Sequence, residues 1–132
     1  MMNKTSKVVL TSENAPKAVG PYSLGISTGK LVFISGQLGL KADTGEFVAD
    51  DVSSQTKQAL ENMKNILQSV GLSFGDVVKT TVFLKDMKSF SEMNSIYAQY
   101  FVNEPPARST IEVAALPKNG LVEIEAIAVI PE

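Results

Sequence analysis

"RSTIEVAALPKNGLVEIEAIAVI", residues 108–130, reads as two apolar, β-branched strands separated by the turn formers Pro117, Asn119 and Gly120. A loop over 116–120 would make them a hairpin that pairs Ala115 with Leu121 and Val113 with Glu123. In that register Arg108 and Glu123 point to opposite faces, and a one-residue slip or a bulge reverses this. Upstream, Pro105 and Pro106 end a helix, and "SFSE" at 89–92 starts it as a capping box, with Ser89 as N-cap and Glu92 reaching back. Phe90, Met93, Ile96, Tyr97, Tyr100 and Phe101 follow helical spacing along it. Before it "VVKTTVFL", 77–84, is a strand with Val78, Thr80, Val82 and Leu84 on one face.

Further towards the N-terminus, Val52, Ala59, Leu60, Met63, Ile66, Leu67 and Val70 predict a helix over 52–70, with Asp51 as N-cap and Gly71 as the stop. "LGISTGKLVFISGQL", 24–38, reads as two strands joined near Thr28 and Gly29. In it Gly36 marks a bulge, a close approach to the backbone, or a plain turn. "VVL" at 8–10 is a further short strand. The order β-β-β-α-β-α-β-β gives an α+β protein, a mixed sheet with two helices packed on one face. The strands carry few charges on either face, so the face without helices is expected to find cover in another subunit.

A length of 132 residues predicts one domain over 1–132, and 44% hydrophobic with 20% charged residues is ordinary for a folded chain. The net charge of −2, with no basic stripe, argues against nucleic-acid partners. The chain has no cysteine and no histidine. Disulfides, histidine-based triads, cysteine nucleophiles and the usual zinc sites are therefore excluded. Chemistry must use Arg, Lys, Tyr, Ser/Thr, carboxylates and backbone groups. The apolar run at 8–10 is far shorter than a signal-peptide core, and no stretch approaches the ~20 apolar residues of a membrane span. A cytoplasmic protein with no membrane partner is expected.

Arg108 is the polar residue that most needs an explanation, because a guanidinium beside an apolar strand requires a partner. Glu112, Glu123 and Glu125 are acidic candidates nearby in sequence, and an anionic ligand is the alternative. Asn94 shares the helical face of Phe90, Tyr97 and Phe101, either as a satisfied core amide or as a pocket-lining donor. Tyr22 places an aromatic hydroxyl on a loop after Gly20 and Pro21.

Six segments, "ENAPKAVGPYS" (13–23), "LVFISGQL" (31–38), "TGE" (44–46), "VGLSFGDVVKTTVFLKDM" (70–87), "FSEMN" (90–94) and "PPARSTIEVAALPKNGLVEIEAIAV" (105–129), together resemble the Rid family of reactive-intermediate deaminases, the RidA/YjgF group. The resemblance implies a chorismate-mutase-like homotrimer with sites in clefts between subunits. It also implies hydrolysis of 2-imino acids such as 2-iminopropanoate and 2-iminobutanoate to 2-oxo acids and ammonia, with no cofactor and no metal. Carried over residue by residue, Arg108 would hold the substrate carboxylate, Tyr22 and Asn94 would line the cleft, and Gly36 would offer backbone contact. Thr110 stands at a position that is often cysteine in the family, and Glu123 would orient the attacking water. The competing readings are a non-catalytic binder of small carboxylate metabolites and a ribonuclease or translation inhibitor. The latter is disfavoured by the net charge, the missing histidine and the lack of an aromatic-basic platform.

Overall fold

The computed structural model describes residues 6–132, in which six strands form one sheet. They are β1 (Val8–Leu10), β2 (Gly25–Ser27), β3 (Leu31–Leu38), β4 (Val77–Leu84), β5 (Ala107–Glu112) and β6 (Val122–Val129). Their order across the sheet is β1-β2-β3-β6-β4-β5. Each neighbour pair is antiparallel except β4 with β5. Helices α1 (Val52–Gln68) and α2 (Phe90–Tyr100) follow β3 and β4. A parallel pair needs a crossover, and α2 supplies it between β4 and β5.

The expected α1 forms where the apolar spacing puts it. Asp51 is extended and accepts a hydrogen bond from the Ser54 N–H at 2.7 Å, and Gly71 closes the C-terminal end at φ 74°, which a β-carbon would strain. Leu60, Met63, Ile66 and Leu67 are fully buried in one core with Val32, Ile34, Val82 and Ile124. Each such side chain contributes roughly 1.5–3 kcal/mol through area removed from water. Polar residues of α1 fix the nearby chain. Asn62 Nδ2 donates to the Leu38 and Leu40 carbonyls at 3.1 and 2.9 Å. Gln55 donates to the Ala49 carbonyl and accepts from the Leu121 N–H, both at 2.9 Å, so the start of β6 is tied to the helix.

Three local expectations are corrected. Strands β5 and β6 do not form a hairpin, because β4 lies between them: Arg108 pairs with Thr80, and Glu123 pairs with Phe83. The turn over Pro117–Asn119, with Lys118 and Asn119 in the left-handed region, sends β6 past β4 into the space beside β3. Ser89 makes no side-chain cap. A 3-10 turn, Met87–Ser89, precedes α2 and is capped by Asp86, so Ser89 is already on a helical path (φ −83°, ψ 1°) and lacks the extended conformation of an N-cap. Val78 does not join Thr80, Val82 and Leu84 on the buried face. The pairing shifts between Val77 and Lys79, and the resulting bulge puts Val77 inside and Val78 in solvent.

Both helices lie on the face that carries Thr80, Val82 and Leu84: the Tyr97 and Thr80 hydroxyls bond each other, and the buried residues of α1 share one core with Val82 and Leu84. On the opposite face Leu31, Phe33, Ile111 and Val129 remain exposed, Phe33 at 41% and Ile111 at 44%. Among the described residues, no helix is long and apolar enough to cross a membrane.

Candidate functional site

Gly36 lies in a bulge, one of the three options its position left open. Ile34 pairs with Ala126 and Gln37 with Ile124, so Ser35 and Gly36 together oppose Glu125. Ser35 anchors the bulge by donating its hydroxyl to the Ser23 carbonyl at 2.6 Å, while its N–H donates to the Leu24 carbonyl at 2.9 Å. The missing side chain at Gly36 makes room for Glu123. A β-carbon there would sit 2.7 Å from Glu123 Cδ and 2.8 Å from Oε2. The Glu123 carboxyl thus rests directly over the backbone of the bulge.

This carboxyl lines a cleft of about 370 Å³ together with Tyr22, Leu24, Gly36 and Gln37. Burial pushes the Glu123 carboxyl above the usual carboxylate range, and the charge of Glu125 on the same face adds to the shift. Tyr22 is half-exposed, with its hydroxyl 3.4 Å from the Val19 N–H. Three of the six expected site residues are therefore brought together on one side of the molecule.

The other three lie elsewhere. Arg108 and Thr110 alternate with Ser109 on β5, the edge strand, and face the helices because their partners Thr80 and Val82 do. The guanidinium carbon of Arg108 lies 4.7 Å from the centroid of the Tyr97 ring and 5.5 Å from that of Phe90. Asn94, half-buried, sits between those two aromatics on the same stripe of α2. Glu123 is three positions out of step with Arg108 along β4, hence on the opposite face. It is also two strands away, about 10 Å across the sheet. Within one chain these two groups cannot share a ligand.

The acidic partners named for Arg108 are also accounted for. Glu123 and Glu125 are on the other face, and Glu112 accepts a hydrogen bond from the Met87 N–H at 2.8 Å. Thr110 Oγ1 is buried with no hydrogen-bond partner among the described residues. A buried hydroxyl left unpaired is costly, so this atom also needs a partner from outside the chain.

Sequence reasoning missed Tyr97 and Phe90 as neighbours of the arginine. Their helical spacing with Asn94 was visible, but spacing reports a buried face and not which strand residue that face meets. Tyr97 is held by a hydroxyl pair with Thr80 at 2.6 Å, between two buried side chains. Burial pushes its phenol up, against the opposing pull of the Thr80 hydrogen bond and the Arg108 charge.

The family described as Endoribonuclease L-PSP matches residues 12–130. The 2-iminobutanoate/2-iminopropanoate deaminase of Salmonella typhimurium is 50% identical over 127 residues, covering 94% of this chain and 98% of the relative. The human protein of the same name is 44% identical, covering 97% of this chain and 93% of the relative. The crystal structure of E. coli TdcF with bound serine superposes with a TM-score of 0.91 at 43% identity, covering 95% of this chain and 100% of that one. With the six-stranded sheet, its two helices and matches over nearly the whole length, the chain belongs to the Endoribonuclease L-PSP family, that of the YjgF and RidA proteins.

Proposed function

We propose that the protein hydrolyses 2-imino acids, 2-iminopropanoate and 2-iminobutanoate among them, to 2-oxo acids and ammonia, at sites shared between subunits of a chorismate-mutase-like homotrimer. The observation that carries this reading is the state of Arg108. Its charge rests against aromatic faces while the nearby glutamates are engaged or on the far side of the sheet, so it is poised for a carboxylate from outside the chain. A planar guanidinium grips a carboxylate through two parallel hydrogen bonds. The serine bound in the E. coli TdcF structure is an amino acid, a molecule with the same carboxylate.

The division of the polar groups favours a composite site. One copy offers Arg108, Thr110 and Asn94 from the β5 edge and α2, and the next offers Tyr22, Gly36 and Glu123 from its cleft. The exposed apolar face around Phe33 and Ile111 supplies surface for the association. The same assembly would cover that face.

The chemistry needs little from the protein beyond position. A protonated imine is already electrophilic at carbon. Glu123, with its affinity for a proton raised by burial, is a stronger base than an exposed carboxylate and is suited to take one from water. Water oxygen bonds to the imine carbon and the C=N π pair moves to nitrogen, giving a tetrahedral carbinolamine. Proton transfer to that nitrogen follows; the C–N bond then breaks, ammonia departs and the C=O bond forms. The balance is one imine plus one water giving one 2-oxo acid plus one ammonia.

The test generates each imino acid in situ with an amino-acid oxidase and follows its decay. Wild-type protein is expected to accelerate decay, and Arg108→Ala to lose about 30- to 5,000-fold of that while remaining folded and trimeric. Arg108→Ala and Glu123→Gln chains, each inactive, are then refolded together. Random pairing should restore about a quarter of wild-type activity if each site takes one residue from each neighbour. An Arg108→Ala protein with full activity would sink the carboxylate role, and no recovery on mixing would sink the shared site.

A further inference from the structure

Arg108 is the only arginine in the chain, and its side chain is held in an unusual way. Thr80 controls it twice. The backbone of Thr80 pairs with that of Arg108 across the parallel β4–β5 ladder, while its buried hydroxyl bonds that of Tyr97 at 2.6 Å. The element that places the Cα of the arginine thus also fixes the ring that its guanidinium meets at 4.7 Å. Phe90, two helical turns earlier and 37% exposed, approaches at 5.5 Å. Both distances lie within the ~6 Å over which a cation is attracted to a ring face. A ring against the face of a guanidinium leaves the N–H groups at its edge available to a carboxylate.

We propose that Tyr97, locked by Thr80, and Phe90 form an aromatic clamp that positions Arg108 for a carboxylate ligand. The identity of that ligand rests on the function proposed above, whereas the clamp itself does not. A long, rotamer-rich side chain must otherwise be immobilised when ligand binds, and the clamp does this beforehand. Tyr97 is accordingly a positioning residue acting through Arg108. Because Arg108 would hold the carboxylate both before and during reaction, loosening it weakens uniform binding and shows in KM more than in kcat.

A lone arginine gives one Nε–H resonance in a nitrogen-15 spectrum, so no assignment is needed. In the wild type this resonance should be displaced by ring currents from the position of an exposed arginine. Tyr97→Leu should return it towards that position and raise KM for 2-iminobutanoate about tenfold, with kcat changed less than about threefold. Tyr97→Phe, which keeps the ring but not the hydroxyl pair, and Thr80→Val, which removes the other hydroxyl, should each lie between the wild type and Tyr97→Leu in both readouts. Tyr97 is buried and its leucine variant can fail to fold; Phe90→Leu alters an exposed ring and must move the resonance in the same direction. A wild-type resonance already at the exposed position, or one that Phe90→Leu leaves in place, overturns the clamp. So does a Tyr97→Leu loss confined to kcat. If the wild type does not hydrolyse the imino acid, the proposed function falls while the resonance still reports on the clamp.

Discussion

Gly36→Ala separates the chemistry of the cleft from the stability of the fold. Gly36 is not among the glycines in the left-handed region, so its backbone accepts alanine without strain. The new methyl would meet Glu123 Cδ at 2.7 Å, where ordinary contact begins at 3.4 Å, so the carboxyl must withdraw by about 0.7 Å. What yields is the end of a flexible side chain. The folded state therefore loses little, and the glycine's extra freedom in the unfolded chain is removed, a gain of about 0.4–1 kcal/mol. Tm should stay within about 5 °C of wild type. With Glu123 acting on the attacking water as proposed, a displacement approaching 1 Å costs on the order of a hundredfold in rate. The assay is kcat/KM on 2-iminobutanoate beside a calorimetric scan. Wild-type kcat/KM would refute the placement of Glu123 at the reacting centre. A fall in Tm of more than about 10 °C would show that the bulge gives way instead of the side chain.

Two further perturbations address the cleft and the edge strand. The folded pKa of Glu123 is raised above 4.5, so the folded state holds its proton more tightly than the unfolded one, and stability falls as pH rises through that raised value. Glu123→Gln should therefore increase Tm at pH 7–8, lose that gain as the pH is lowered towards 4.5, and abolish turnover; equal Tm differences at both pH values would contradict it. Thr110→Val removes a buried hydroxyl that has no hydrogen-bond partner among the described residues, so the subunit should be stabilised by about 1 kcal/mol in denaturant titration while KM rises. Destabilisation would show that Oγ1 is satisfied within the assembly.

Much of the fold was legible because its signals are local. Spacing alone located α1, and Thr28 with Gly29 located the β2–β3 turn. The pairing of β5 and β6 was not legible, because a turn sequence at 117–120 does not reveal that β4 enters between the strands. The Val78 bulge and the 3-10 turn before α2 were missed for a related reason, since each changes phase inside an otherwise regular pattern. At the site, Arg108 advertised its need for a partner through charge in apolar surroundings. Helical spacing marked Asn94 as a possible pocket-lining donor and its strand position marked Gly36 as a possible bulge, while the roles of Thr110 and Glu123 came from family resemblance, and the separation of these residues onto two surfaces required coordinates. The contact of Tyr97 and Phe90 with Arg108 joins a helix to a strand that follows it in the chain, a relation that no periodicity encodes.

Strand β6 lies between β3 and β4, yet it is the last of the six strands in chain order. While such a chain is being synthesised, β1 to β3 can gather as one antiparallel group and β4, α2 and β5 as another. No strand pairs with both groups until residues 122–129 arrive. The bonds that join them are nearly all distant in sequence, which makes closure slow and leaves the inner edges of β3 and β4 open in the interval. Open apolar edges invite pairing with other chains. A nascent chain halted before Val122 would thus be the species most in need of a chaperone, and removing β6 should divide the sheet rather than trim it.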